Sequence, residues 1–123
     1  MLINLSNHPY NQWSEKQKET AQKQYGMVQD MTFPMVDPSA TTKEIKELAL
    51  TFYKKITTII DQCANEPYPN AVHIQGEFTF VFNLVTLLKK SEISCVASTS
   101  TRNVKQIGEK KIINFKFVQF REY

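Results

Sequence analysis

Two short apolar runs in this chain stop in residues that can do chemistry. Val72-His73-Ile74 leads into Gln75-Gly76-Glu77, with Thr79 two positions on, and Cys95-Val96-Ala97 leads into Ser98-Thr99-Ser100-Thr101-Arg102. Hydroxyls donate hydrogen bonds and arginine adds a planar charged fork, so the second run suits a phosphate. A capping role needs one hydroxyl, not four, which favours a ligand over a cap. Gly76 would let backbone approach that ligand closely. Glu77 is welcome at a helix N-terminus whatever the function, and would either accept a ribose hydroxyl or act as a base. A third segment, Ser6-Asn7-His8, follows the first apolar run and holds a histidine, a residue type that can serve as acid or base. Trp13, just beyond, could stack on a base or simply staple the following helix.

For these three segments to meet, they must leave one sheet at the same edge. In parallel α/β sheets ligands bind outside the carboxyl ends of the strands, where helix N-termini also favour anions. The pattern predicts strands at 2–5, 27–33, 72–75, 93–97 and 112–120. Helices are expected near 14–25, 41–64 and 77–90, the first two opened by Ser14 with Gln17 and by Thr41 with Glu44. Gly26 would close the first helix, and Gly108-Glu109-Lys110 would turn the chain into the last strand. Helices between the first four strands demand parallel pairing, and the short last connection makes the fifth strand antiparallel. The expected fold is α/β: a three-layer, Rossmann-like sandwich on a mostly parallel five-stranded sheet, forming one domain over 1–123. Phe78, Phe80 and Phe82 read as core, His73 as a packed strand residue, and Cys95 as a buried, inert thiol.

Composition narrows the function. A net charge of +3 is too small to blanket duplex DNA, which leaves room only for a local basic site. No apolar run reaches membrane-spanning length, and the first five residues turn polar too soon for a signal peptide. Two distant cysteines suit a reducing, cytoplasmic setting. The chain has no GxGxxG, no GxxxxGK[ST], no HExxH, no GxSxG and no paired Cys or His ligands, so neither a cofactor nor a metal site is expected.

Four features taken together resemble the small CRISPR-associated Rossmann-fold proteins of the CARF-type ring-nuclease group. They are Asn7-His8 after the first strand, the Gln75-Gly76-Glu77 step, the Ser98-to-Arg102 run, and the aromatic ending from Phe115 through Val118 to Phe120-Arg121-Glu122-Tyr123. The resemblance implies a ligand, the cyclic oligoadenylate of type III CRISPR defence. It also implies metal-independent cleavage, in which a ribose 2′-OH attacks the adjacent phosphodiester. His8, Glu77, Thr99 and Arg102 would then serve the reaction. Ser6, Asn7, Trp13, Gln75, Gly76, Thr79, Ser98, Ser100 and Thr101 would bind the ligand. A two-fold symmetric ligand larger than one cleft implies a homodimer. Three other readings stand beside this one: a sensor that binds without cleaving, another small nucleotide-binding enzyme, and an interaction module on the same fold.

Overall fold

The computed structural model describes residues 1–64 and 66–123. Its elements follow the order β1 (Leu2–Ser6), α1 (Glu15–Tyr25), β2 (Val28–Asp30), α2 (Thr42–Asp61), β3 (Ala71–Gln75), α3 (Phe78–Lys90), β4 (Ser94–Ile107) and β5 (Lys110–Glu122). One 3-10 turn, Tyr10–Gln12, bridges β1 and α1. The strands form one sheet in the order β2-β1-β3-β4-β5, parallel throughout except for β4 with β5. This is the expected mostly parallel α/β sheet with an antiparallel C-terminal edge.

Local chemistry sets the helix ends. Ser14 caps α1 by accepting from the Gln17 N–H, and Gly26, at φ 79°, closes it in a conformation costly for any residue with a Cβ. Thr41 and Glu44 form a reciprocal capping box at α2. The apolar stripe Ile45, Ala49, Phe52 and Ile56 of α2 then packs beside α3 on one face of the sheet, over Ile3, Leu5, Val72 and Ile74. Cys95 joins this core, where burial pushes its thiol up to about 11 and keeps it protonated and unreactive. The opposite face carries α1, whose Ala21 covers Leu2, Ala71 and Val96 with help from Trp13 and Phe120.

Three expectations need correction. Strand β2 is shorter than 27–33, because the Phe33 ring leaves the ladder to pack edge-on against Phe80. Helix α2 ends at Asp61, short of residue 64. Phe78 and Phe82 are not core, being 89% and 71% exposed while Phe80 is fully buried. An alternating run laid on a helix puts only one of the three rings toward the sheet.

The largest departure is β4. The residues expected as a hydroxyl-rich turn and polar loop, 98–107, continue as strand and pair with β5 to the Ile107↔Lys110 closure. Most of these residues are exposed, so no buried period marked them. The ladder with β5 holds them instead. The C-terminus is tied down, with the Tyr123 hydroxyl donating to the Ile74 carbonyl at 2.6 Å.

Candidate functional site

On the α1 face each central strand changes character along its length. Leu2, Ala71 and Val96 are apolar, and the same-face residues that follow are polar: Asn4 and Ser6, His73 and Gln75, Ser98 and Ser100. Parallel pairing sets these residues side by side, so a polar row crosses the sheet toward its carboxyl edge. Asn4 and His73 are each only 1% exposed, yet every buried side-chain polar atom described has a hydrogen-bond partner.

The row is wired through His73. Asn4 Nδ2 donates to Asp30 Oδ1 at 2.8 Å and to the His8 carbonyl at 2.9 Å, which turns Asn4 Oδ1 toward the imidazole. His73 Nδ1 lies 2.9 Å from that oxygen, and the Ser6 hydroxyl donates to it at 2.8 Å. On the far side, His73 Nε2 lies 2.8 Å from Gln75 Oε1 and 3.2 Å from the Ser98 hydroxyl. The Gln75 amide is oriented by Ser98, donating to its carbonyl and accepting from its N–H and hydroxyl. Burial pulls His73 down to about 4, against the upward pull of the Gln75 oxygen and with a further lowering from His8. The ring is neutral at pH 7. Trp13 and Phe120 set their rings at steep angles to it, with centroids 5.3 and 5.6 Å away.

Above this floor opens a cleft of about 850 Å³. It gathers Asn7, His8, Trp13, Gln75, Gly76, Ser98, Thr99 and Ser100, all of which the sequence singled out. The first turn of α1 adds Ser14, Lys16 and Gln17, and β5 adds Phe115, Lys116 and Phe117. Lys16 and Lys116 are exposed ammonium groups lining the cleft, placed to meet an anion there. Sequence reading missed Lys16 and Asn4; it placed His73 correctly as a packed strand residue without its place beneath the cleft, and named Phe115 only in the aromatic ending. The two-residue alternation of the strands carried the signal for Asn4 and His73.

Other expected residues lie elsewhere. The Glu77 carboxylate caps α3, accepting from the Phe80 N–H at 2.8 Å, the Thr79 N–H at 3.2 Å and the Thr79 hydroxyl at 2.7 Å. The Phe80 N–H and then the Thr79 hydroxyl hold its pKa below the usual value, so Glu77 occupies the helix N-terminus that a phosphate would need. Ser6 is buried in the Asn4 network and faces a smaller neighbouring cavity. Thr101 and Arg102 are not among the residues lining the cleft, although their pairing partners Lys116 and Phe115 are. Trp13 is buried, with its indole N–H donating to the His8 carbonyl at 3.0 Å, which makes it a staple rather than a free stacking platform.

Gly76 answers to packing. A Cβ there would sit 2.2 Å from the tip of the Phe33 ring, so the small residue seats that ring against Phe80. Gly76→Ala should destabilise the fold by about 1–3 kcal/mol, the usual scale of overpacking, read as a shift in the urea midpoint. An unchanged midpoint would show that Phe33 yields freely.

Among the described residues no group of three or more His, Cys, Asp or Glu side chains could hold a metal ion, and no helix is long and apolar enough to cross a membrane. The sheet and its polar cleft define a Rossmann-like α/β protein with its candidate site at the strand ends. More narrowly, the chain belongs to the Uncharacterized protein MJ1673 family, whose model matches residues 1–121. No curated protein and no solved structure matches the chain.

Proposed function

We propose that the cleft binds a cyclic oligoadenylate, the second messenger of type III CRISPR defence, and cleaves it without a metal. One observation carries the reading: the Asn7-His8, Gln75-Gly76 and Ser98-to-Ser100 segments, which suggested it in the sequence, converge on one cleft beside Lys16. In this reaction the cleft orients a ribose so that its 2′-oxygen attacks the neighbouring phosphorus in line. The bond to the 5′-oxygen breaks, leaving a 2′,3′-cyclic phosphate and a 5′-hydroxyl that takes up the proton released by the 2′-hydroxyl. Lys16 and the Ser100 hydroxyl suit the developing negative charge. His8, exposed at the cleft wall, is the candidate to move the proton. The ligand would span two protomers, with exposed Phe78 and Phe82 of α3 supplying the homodimer surface. A reducing cytoplasm suits the two free cysteines, Cys63 and Cys95.

One finding favours the sensor reading in its place. Glu77 is committed to its helix cap, and Arg102 lies beyond the cleft, which removes two of the four expected catalytic groups. Product analysis separates the two readings. Incubation with cyclic oligoadenylates of several ring sizes, in EDTA, should yield linear products ending in a cyclic phosphate. Binding without products would make the protein a sensor, and cleavage that requires Mg²⁺ or Mn²⁺ would overturn the metal-free reaction.

A further inference from the structure

The backbone pairing of β4 with β3 ends at His73↔Val96, while its pairing with β5 runs on to Ile107↔Lys110. From Ser100 outward the sheet is therefore a two-stranded ribbon, an arm that projects from the cleft. Such a ribbon is marginal in water unless something covers it. Its surface is unusual in two ways. Phe115 is 67% exposed and Val104 51%, so apolar groups stand bare along it. It also carries five basic residues, Arg102, Lys105, Lys110, Lys111 and Lys116, against the single carboxylate of Glu109. The whole chain has a net charge of +3, so the positive charge of the protein is concentrated on this arm. None of the five is in an ion pair with a carboxylate among the described residues.

The register sorts these groups by face. Directly opposed residues share a face, so Arg102↔Phe115, Val104↔Ile113 and Gln106↔Lys111 lie on the side that continues the cleft from Ser100↔Phe117. That face presents an exposed aromatic between cations. The other face holds Lys116, Lys105 and Lys110 at spaced positions. A second copy of the arm would bring like charges together, whereas an anionic, base-bearing polymer meets both features at once. Bases stack on exposed aromatics and phosphates release counterions to lysine and arginine.

We infer that the β4–β5 arm binds single-stranded nucleic acid, with Phe115 as the stacking platform and Arg102 and Lys111 on the backbone phosphates. The site adjoins the proposed cyclic-oligoadenylate cleft and shares Phe115 with it, while Arg102 and Lys111 lie outside the cleft lining. A protein that binds linear strands but no cyclic ligand would overturn the cleft reading and leave the arm intact.

Fluorescence anisotropy with a labelled single-stranded RNA of about 12 nucleotides, within the usual site size for such surfaces, tests it. Binding should weaken steeply with salt and exceed that of a duplex of equal length. Phe115→Ala should weaken it about tenfold, and Phe115→Tyr should preserve it. The Arg102→Ala/Lys111→Ala pair should flatten the salt dependence by about 1.4 in log–log slope, from two lost phosphate contacts. Circular dichroism checks that each variant folds, and the exposure of Phe115 makes that the expected outcome. No binding at low salt would overturn the inference. So would RNA binding indifferent to all three substitutions, or sedimentation showing a dimer that Phe115→Ala dissolves while RNA binding stays absent.

Discussion

Acidification from pH 7 to pH 4 should cost the fold about 3 kcal/mol through His73 alone. The imidazole is held down at about 4 in the fold against an ordinary value of 6.5. Below pH 6.5 the unfolded chain takes up a proton that the folded chain refuses, so stability falls as pH drops toward 4 and levels off beneath it. Above 6.5 both states are neutral there and the contribution is complete. The causes are burial under Trp13 and Phe120 and the nearby His8, opposed by Gln75 Oε1. Either neutral tautomer leaves one ring nitrogen facing an amide oxygen, Asn4 on one side or Gln75 on the other. Only the imidazolium could donate to both, which is why the Gln75 contact pulls upward. Urea unfolding at intervals between pH 7 and pH 4 measures the slope. His73→Gln should flatten it across that window, whatever it does to stability at pH 7. A slope that survives the substitution would place the titration elsewhere. Glu77 and Asp37, both held below their usual carboxylate values, contribute at lower pH, where protonation removes their hydrogen-bonded anionic forms.

Phe80→Ala should be at least as damaging, at about 3–5 kcal/mol, whereas Phe78→Ala and Phe82→Ala should each stay within about 0.5 kcal/mol. Phe80 is wholly buried and meets the Phe33 and Phe52 rings edge-on, each at 5.3 Å between centroids. Truncation would leave a cavity walled by two stiff rings. Phe78 and Phe82 stand in solvent on the outer side of α3, so their removal empties nothing. Thermal or urea unfolding of the three variants reads the contrast. A large loss from Phe82→Ala in the isolated protein would mean that a second protomer already covers α3, and its size should then depend on protein concentration.

Those three phenylalanines show what sequence alone resolves. Hydrophobic periodicity located α2 and α3, and strand polarity brought Asn7-His8, Gln75 and Ser98 to one edge, because a parallel sheet allows little else. The phase of a helix apolar nearly all round is weaker information, and Phe78 and Phe82 fell on the open side. The polar row was present in the strands as Leu2-Asn4-Ser6, Ala71-His73-Gln75 and Val96-Ser98-Ser100. Its meaning depends on which face α1 covers, and that is decided by tertiary packing. The arm was hidden for a related reason. Residues 98–107 face solvent, carry no buried period, and hold their strand through pairing with a partner remote in sequence. Glu77 was ambiguous in principle, since a carboxylate at a helix N-terminus suits a cap and a base equally, and only the bonds to Thr79 and Phe80 decide between them.

The proposed ligand site is most directly tested by amide NMR during titration with cyclic oligoadenylates of different ring size. Saturable shifts are expected at Asn7, His8, Ser14, Lys16, Gln75 and Ser98 to Ser100 for one ring size, with their loss in Lys16→Ala. Absence of binding at every ring size, or shifts confined to the Phe78 and Phe82 face of α3, would contradict the proposal.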